Sequence, residues 1–111
     1  MSITRIGAGK RMSEAVIHGG KAYLAGFVAD KTVGKSVKEQ TADILAQIDA
    51  TLKQAGTDKT KILKANIWLT DIGKWAEMNE AWDAWVVAGQ TPARATVEAK
   101  LAAPAYKVEI K

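Results

Sequence analysis

Two stretches of this chain, residues 21–28 and 62–69, carry apolar side chains at odd and even positions alike, and that pattern limits the folds open to it. In a strand, successive side chains alternate between faces. In the first stretch Ala22, Leu24, Gly26 and Val28 point one way, and Tyr23, Ala25 and Phe27 the other. In the second, Leu63, Ala65, Ile67 and Leu69 share a face, while Ile62 and Trp68 sit on its reverse. Only two amphipathic helices accompany them, enough to cover one face of a small sheet. The other face needs a partner, because monomers rarely leave a large apolar patch bare. Self-association follows from the pattern, though no copy number does.

The first helix is the best-marked element. Ser36-Val37-Lys38-Glu39 has the form of a capping box, in which the serine hydroxyl and the glutamate carboxylate each take an orphan amide. Val37, Thr41, Ile44, Leu45, Ile48 and Leu52 then fall on one stripe, and Gly56 stands where a C′ glycine ends a helix. The spacing predicts a helix over residues 37–55. Asp71 can cap a second helix, with Trp75, Met78, Trp82 and Trp85 on one face and Gly89 at its end. Strands are expected at 15–18, 21–28, 62–69, 95–99 and 106–110, with Gly19-Gly20 as the hairpin turn joining the first two. These five strands and two helices, in the order β-β-α-β-α-β-β, indicate one α+β domain over residues 1–111, a mixed sheet with two helices on one face.

Composition removes several function classes. The 111 residues contain no cysteine, which excludes disulfides and a thiolate nucleophile and fits a reducing compartment. The N-terminal Met1-Ser2-Ile3-Thr4-Arg5 lacks the apolar core of a signal peptide, and no apolar run approaches the ~20 residues that cross a bilayer. A cytoplasmic protein is expected. The net charge of +4 is spread over scattered lysines, with no basic block or basic–aromatic strip, so neither nucleic acid nor a membrane is an expected partner. A single histidine, His18, argues against a His-built metal site and reads as a turn residue. No Gly-x-Ser-x-Gly elbow occurs, and Gly7-Ala8-Gly9-Lys10 reads as a plain turn rather than a phosphate loop. The tryptophans of the second helix are at core spacing.

The C-terminal third holds the remaining chemistry. Arg94, one of only three arginines against thirteen lysines, enters a strand between small residues. A guanidinium on a stiff element can grip a carboxylate with two parallel hydrogen bonds. From these facts alone a carboxylate clamp and a surface salt bridge are equally good readings.

Pro92-Ala93-Arg94-Ala95-Thr96-Val97-Glu98-Ala99-Lys100, followed by Val108-Glu109-Ile110, closely resembles the C-terminal signature of the YjgF/RidA family. Ala25-Gly26, Asn66-Ile67-Trp68-Leu69-Thr70-Asp71 and Met78-Asn79-Glu80-Ala81-Trp82 resemble further family segments, in order, along nearly the whole chain. The resemblance implies a chorismate-mutase-like fold of the bacillus type, assembled as a homotrimer around a central barrel. It implies hydrolysis of reactive enamine or imine carboxylates, such as 2-aminoacrylate, to 2-keto acids and ammonia in clefts between subunits. No cofactor is implied, but a functional link to pyridoxal-phosphate-dependent dehydratases is. By the same resemblance Arg94 would hold the substrate carboxylate and Glu109 would handle water and ammonia. Ala25, Gly26, Thr96, Met12 and Asn79 would line the substrate, the first three through an anion cradle of backbone amides near Gly26 and Thr96. Glu98 is a second carboxylate candidate. Two positions depart from the family pattern. Met12 stands where many active members have tyrosine, and Thr96 where many have cysteine. The altered lining leaves room for a different amino-substituted acid, such as 2-aminomuconate, or for a non-catalytic carboxylate-binding or chaperone-like role. A ribonuclease role is the least supported by these residues.

Overall fold

A computed structural model describes residues 2–111; Met1, part of the N-terminal stretch read above, lies outside the described residues. Seven strands and two helices follow in the order β1 (Thr4–Ile6), β2 (Ala15–His18), β3 (Lys21–Leu24), β4 (Phe27–Val28), α1 (Val37–Gln54), β5 (Lys64–Leu69), α2 (Trp75–Trp85), β6 (Ala93–Glu98) and β7 (Val108–Ile110). β1, β2 and β3 form an antiparallel sheet, and a second, mixed sheet has the order β4-β7-β5-β6. β6 runs parallel to β5, which needs the α2 crossover between them, while β7 is antiparallel to both β4 and β5.

α1 forms as its stripe predicts. Val37, Thr41, Ile44, Leu45, Ile48 and Leu52 are all buried, and Gly56 takes the left-handed conformation (φ 82°) just past the last turn. The cap differs in one bond: the Ser36 hydroxyl accepts from the Glu39 amide and itself donates to the Glu39 carboxylate. Both helices cover one face of the four-stranded sheet. Ile44, Leu45 and Ile48 of α1 and Met78 and Trp82 of α2 close over Ala65, Ile67, Leu69, Val108 and Ile110. Each fully buried Leu or Ile there contributes about 1.5–3 kcal/mol. Two polar residues brace the perimeter. Gln40, fully buried, donates to the Lys35 and Ala105 carbonyls and accepts from the Lys107 amide, tying α1 to the segment before β7. Asp43 accepts from the amides of Asp30, Lys31 and Thr32 and from the Thr32 hydroxyl, clamping the β4–α1 loop to the helix.

Several expectations are corrected. The stretch 21–28 is not one strand: it breaks at Ala25-Gly26, and its halves join different sheets. A short strand, β1, pairs with β2 ahead of the expected elements. Asp71 caps a one-turn 3-10 segment, Ile72–Lys74, rather than α2 itself. α2 therefore starts at Trp75, which is 50% exposed instead of in the core. The same helix ends at Trp85, four residues before Gly89. β5 begins at Lys64, so Leu63 precedes the strand and is 74% exposed. β6 and β7 are displaced to Ala93–Glu98 and Val108–Ile110 from the expected 95–99 and 106–110.

Candidate functional site

Strand register decides where each candidate side chain goes. Arg94 pairs with Ala65 and Thr96 with Ile67, so both residues belong to the helix-covered face. Glu109 pairs with Trp68, on the opposite face. Arg94 and Glu109 thus project from opposite faces of one sheet. They are separated by two strand spacings and three residues of rise, roughly 14 Å between their Cα atoms by ideal strand geometry.

β6 is an edge strand, and its outer side is open. The amides of Ala93 and Ala99 donate inward to the carbonyls of Leu63 and Leu69. By the alternation of a parallel ladder, the amides of Arg94, Thr96 and Glu98 point to the free edge. The Arg94 side chain lies along α2. One of its terminal nitrogens, Nη1, donates to Asn79 Oδ1 at 2.8 Å, and its Cζ sits 5.1 Å from the centre of the Trp82 ring. The ion pairs found among the described residues join Lys38 to Glu80 and Lys74 to Glu77, leaving Arg94 without a carboxylate partner. The surface salt bridge considered for Arg94 is not what forms.

Glu109 stands beside the β3–β4 break. A Cβ on Gly26 would overlap the Glu109 carboxylate, lying 3.0 Å from its Cδ and closer still to Oε2. Space, not backbone conformation, is what glycine provides here, since its φ is not among the positive ones. A cleft of about 230 Å³ lined by Trp68, Ala99, Lys100, Leu101, Ala102 and Glu109 opens on that face. A depression of about 410 Å³ near Ser36, Thr70, Lys74 and Lys107 contains none of the candidate residues.

The remaining candidates are dispersed. Thr96 Oγ1 is buried with no hydrogen-bond partner, so the free edge receives its amide rather than its hydroxyl. Met12 is 57% exposed in the β1–β2 connection. Asn79 touches Arg94. Glu98 accepts from the Ile72 amide at 3.0 Å, which ties it to the turn into α2. His18 faces the Ser2 carbonyl through Nδ1. The core spacing of Trp82 carries no local signal of its contact with Arg94, although Asn79 and Trp82 at i,i+3 share a helix face. Among the described residues no group of three or more His, Asp or Glu could hold a metal ion, and no helix is long and apolar enough to cross a membrane.

The molecule is thus an α+β protein with a cation at a free sheet edge and a carboxylate on the reverse face. Residues 2–111 match the family model described as Endoribonuclease L-PSP. The RutC family protein YoaB of Escherichia coli K12 is 50% identical over 111 residues, spanning 100% of this chain and 96% of that protein. A RutC family protein of Haemophilus influenzae is 47% identical over 110 residues, with coverage of 99% and 95%. Among solved structures, NMB1025 of Neisseria meningitidis, a member of the YjgF protein family, superposes with a TM-score of 0.93 at 50% identity, covering 99% of this chain and 91% of that one. Rv2704 of Mycobacterium tuberculosis, of the YjgF/YER057c/UK114 family, gives 0.85 at 28% identity, covering 98% and 95%. The chain belongs to this YjgF/RutC family.

Proposed function

We propose that the protein hydrolyses small enamine or imine carboxylates of the 2-aminoacrylate/2-iminopropanoate type to 2-keto acids and ammonia, in clefts between the copies of a homotrimer closed around a central barrel. The observation that carries this reading is Arg94, a guanidinium held by neutral partners at a free strand edge with no protein carboxylate neutralising it. Bidentate capture of a substrate carboxylate uses its remaining donors. The outward amides of Arg94 and Thr96 add neutral donors to the same anion.

Chemistry after capture needs little. An imine carbon is already electrophilic, so water adds to it once held in place. Glu109 takes a proton from the attacking water and delivers it to the imine nitrogen, giving a carbinolamine. It then takes the hydroxyl proton as the C=O bond forms and passes it to nitrogen, so that the C–N bond breaks and ammonia leaves. One positioned acid/base group contributes ~10²–10⁴-fold. A substrate of three or four carbons cannot bridge roughly 14 Å of strand geometry within one chain. Arg94 of one protomer therefore meets Glu109 of another, which accounts for a sheet face left uncovered, with Val97 half exposed. In the cytoplasm the substrate comes from pyridoxal-phosphate-dependent dehydratases, which release such intermediates.

A second reading, a larger amino-substituted acid such as 2-aminomuconate, draws support from Met12, which offers no hydroxyl to the substrate. A non-catalytic carboxylate-binding module would keep binding and lose turnover. The test is release of pyruvate and ammonia from 2-aminoacrylate generated in situ. Wild type accelerates it, and Arg94→Ala loses about 100-fold of that acceleration. Equal inactivity of wild type and variant overturns the assignment, and turnover of the dicarboxylate alone favours the second reading.

A further inference from the structure

We propose that Trp82 is a positioning residue for Arg94, its indole face setting the guanidinium plane so that the donors not taken by Asn79 face a ligand carboxylate. The inference rests on the carboxylate-binding reading of Arg94 and adds the residue that prepares it.

Two constraints of different kinds meet at the guanidinium. Asn79 Oδ1 fixes one end through Nη1 at 2.8 Å. The Trp82 ring, 5.1 Å from Cζ, offers a flat negative face that favours a cation above it. A hydrogen bond alone leaves the plane free to rotate about that bond; the ring removes the rotation. Arginine has five N–H donors, so four stay available in a fixed fork. Lysine at this position would keep the charge but lose the plane.

The platform is itself anchored. Trp82 is only 6% exposed, and its ring packs against Trp85 with centroids 5.5 Å apart and planes tilted by 51°. Trp85 Nε1 donates to Asp49 Oδ2 on α1 at 2.9 Å, and Lys59 Nζ lies 5.3 Å above the Trp85 ring. Asp49, Trp85, Trp82 and Arg94 form a continuous series from α1 to the free edge of β6. Core packing explains why Trp82 is buried. It does not explain a guanidinium on its face.

The experiment measures pyruvate affinity by NMR titration, with kcat and KM for 2-aminoacrylate, in Trp82→Phe and Trp82→Met proteins carrying Arg94 or Arg94→Lys. Methionine is apolar and long but has no π face, while phenylalanine keeps one. Trp82→Met weakens pyruvate binding about five- to tenfold and raises KM in step with kcat nearly unchanged, because ground and transition states share the carboxylate contact. Trp82→Phe recovers most of the loss. In the Arg94→Lys background the Trp82→Met step adds nothing. An equal loss in both backgrounds, or no loss with Arg94 present, overturns the proposal. A second measurement reads the wild-type protein directly and does not depend on any Trp82 variant folding; Arg94→Lys serves only to assign a signal. The wild-type protein contains three arginines, so its Nε–Hε spectrum has three side-chain signals. The signal that disappears in Arg94→Lys is shifted upfield of the other two by the indole ring current; coincidence with them overturns the stack. Should Arg94→Ala leave pyruvate affinity unchanged, the carboxylate reading falls and the stack's role with it. Loss on Arg94→Ala without coupling to Trp82 removes the stack alone.

Discussion

The Glu109 carboxylate occupies the space that a side chain at Gly26 would need. One residue of the chain break between β3 and β4 is thereby matched to one residue of β7, across the strand pairing of Phe27 with Ile110 and Val28 with Glu109. A larger residue at 26 forces the carboxylate to swing away. Glu109 is flexible enough to do so, which makes the substitution a selective probe of its position.

Gly26→Ala is expected to leave thermal stability within about 1 kcal/mol of wild type, since only the end of a side chain moves. On the proposed mechanism turnover of 2-aminoacrylate falls about 100-fold, because Glu109 would no longer sit where it can move the proton of the attacking water. Melting curves and steady-state kinetics on the same preparation check the split. Loss of stability equal to loss of activity would mean that Glu109 is structural.

Thr96 separates two contributions that the sequence merged. Its hydroxyl is buried without a partner, a situation that costs free energy. Thr96→Val removes the orphan and keeps the shape, so stability stays equal or rises by about 1 kcal/mol. Pyruvate affinity stays within about twofold, because the amide is retained. A tenfold loss would assign the binding to the hydroxyl.

Acid stability has a nameable source in Asp43. Burial pushes its carboxyl upward, but hydrogen bonds from the Thr32 hydroxyl, the Asp30 amide, Gln47 and the Thr32 amide outweigh this and hold it below its ordinary 3.8. A group depressed in the folded state stabilises fully above its unfolded value. That stabilisation is lost as pH falls below about 4 and through the folded value. Asp43→Ala, measured by urea unfolding, lowers stability at pH 7 by about 1–2 kcal/mol. The difference from wild type shrinks at pH 3. A difference independent of pH would refute the charged-carboxylate account.

Gln40 has no apolar substitute. Replacing it with leucine strands the Lys107 amide and the Lys35 carbonyl, whereas the Ala105 carbonyl keeps its bond from Gly34. A loss of about 2–4 kcal/mol in denaturant unfolding is expected. The segment leading to Glu109 loosens with it.

The local parts of this fold were readable because local physics made them. α1 has a cap, a 3.6-residue apolar period and a terminal glycine, and all three agree. The break at Ala25-Gly26 was hidden, since the apolar alternation runs through it and only strand pairing reveals that Phe27 joins β7. Trp75 and Leu63 were misplaced for one reason. Each lies at the boundary of an element whose first turn or residue is irregular, where periodicity carries no information. Arg94 and Glu109 are candidates through the family resemblance alone. Their placement on opposite faces depends on the register of β6 and β7 against β5, which no single strand encodes. The polar ties of Gln40 and Asp43, and the Trp82 platform, are long-range contacts with the same limitation.

That placement makes the central claim directly measurable. Arg94→Ala and Glu109→Gln proteins, each expected to keep about 1% or less of wild-type activity on 2-aminoacrylate, are co-refolded in equal amounts. If every site takes Arg94 from one protomer and Glu109 from the next around a closed ring, about a quarter of the sites regain both groups. The account predicts recovery of about a quarter of wild-type activity. A mixture that stays as inactive as its components would contradict it, because the two residues would then have to serve the same site from a single chain.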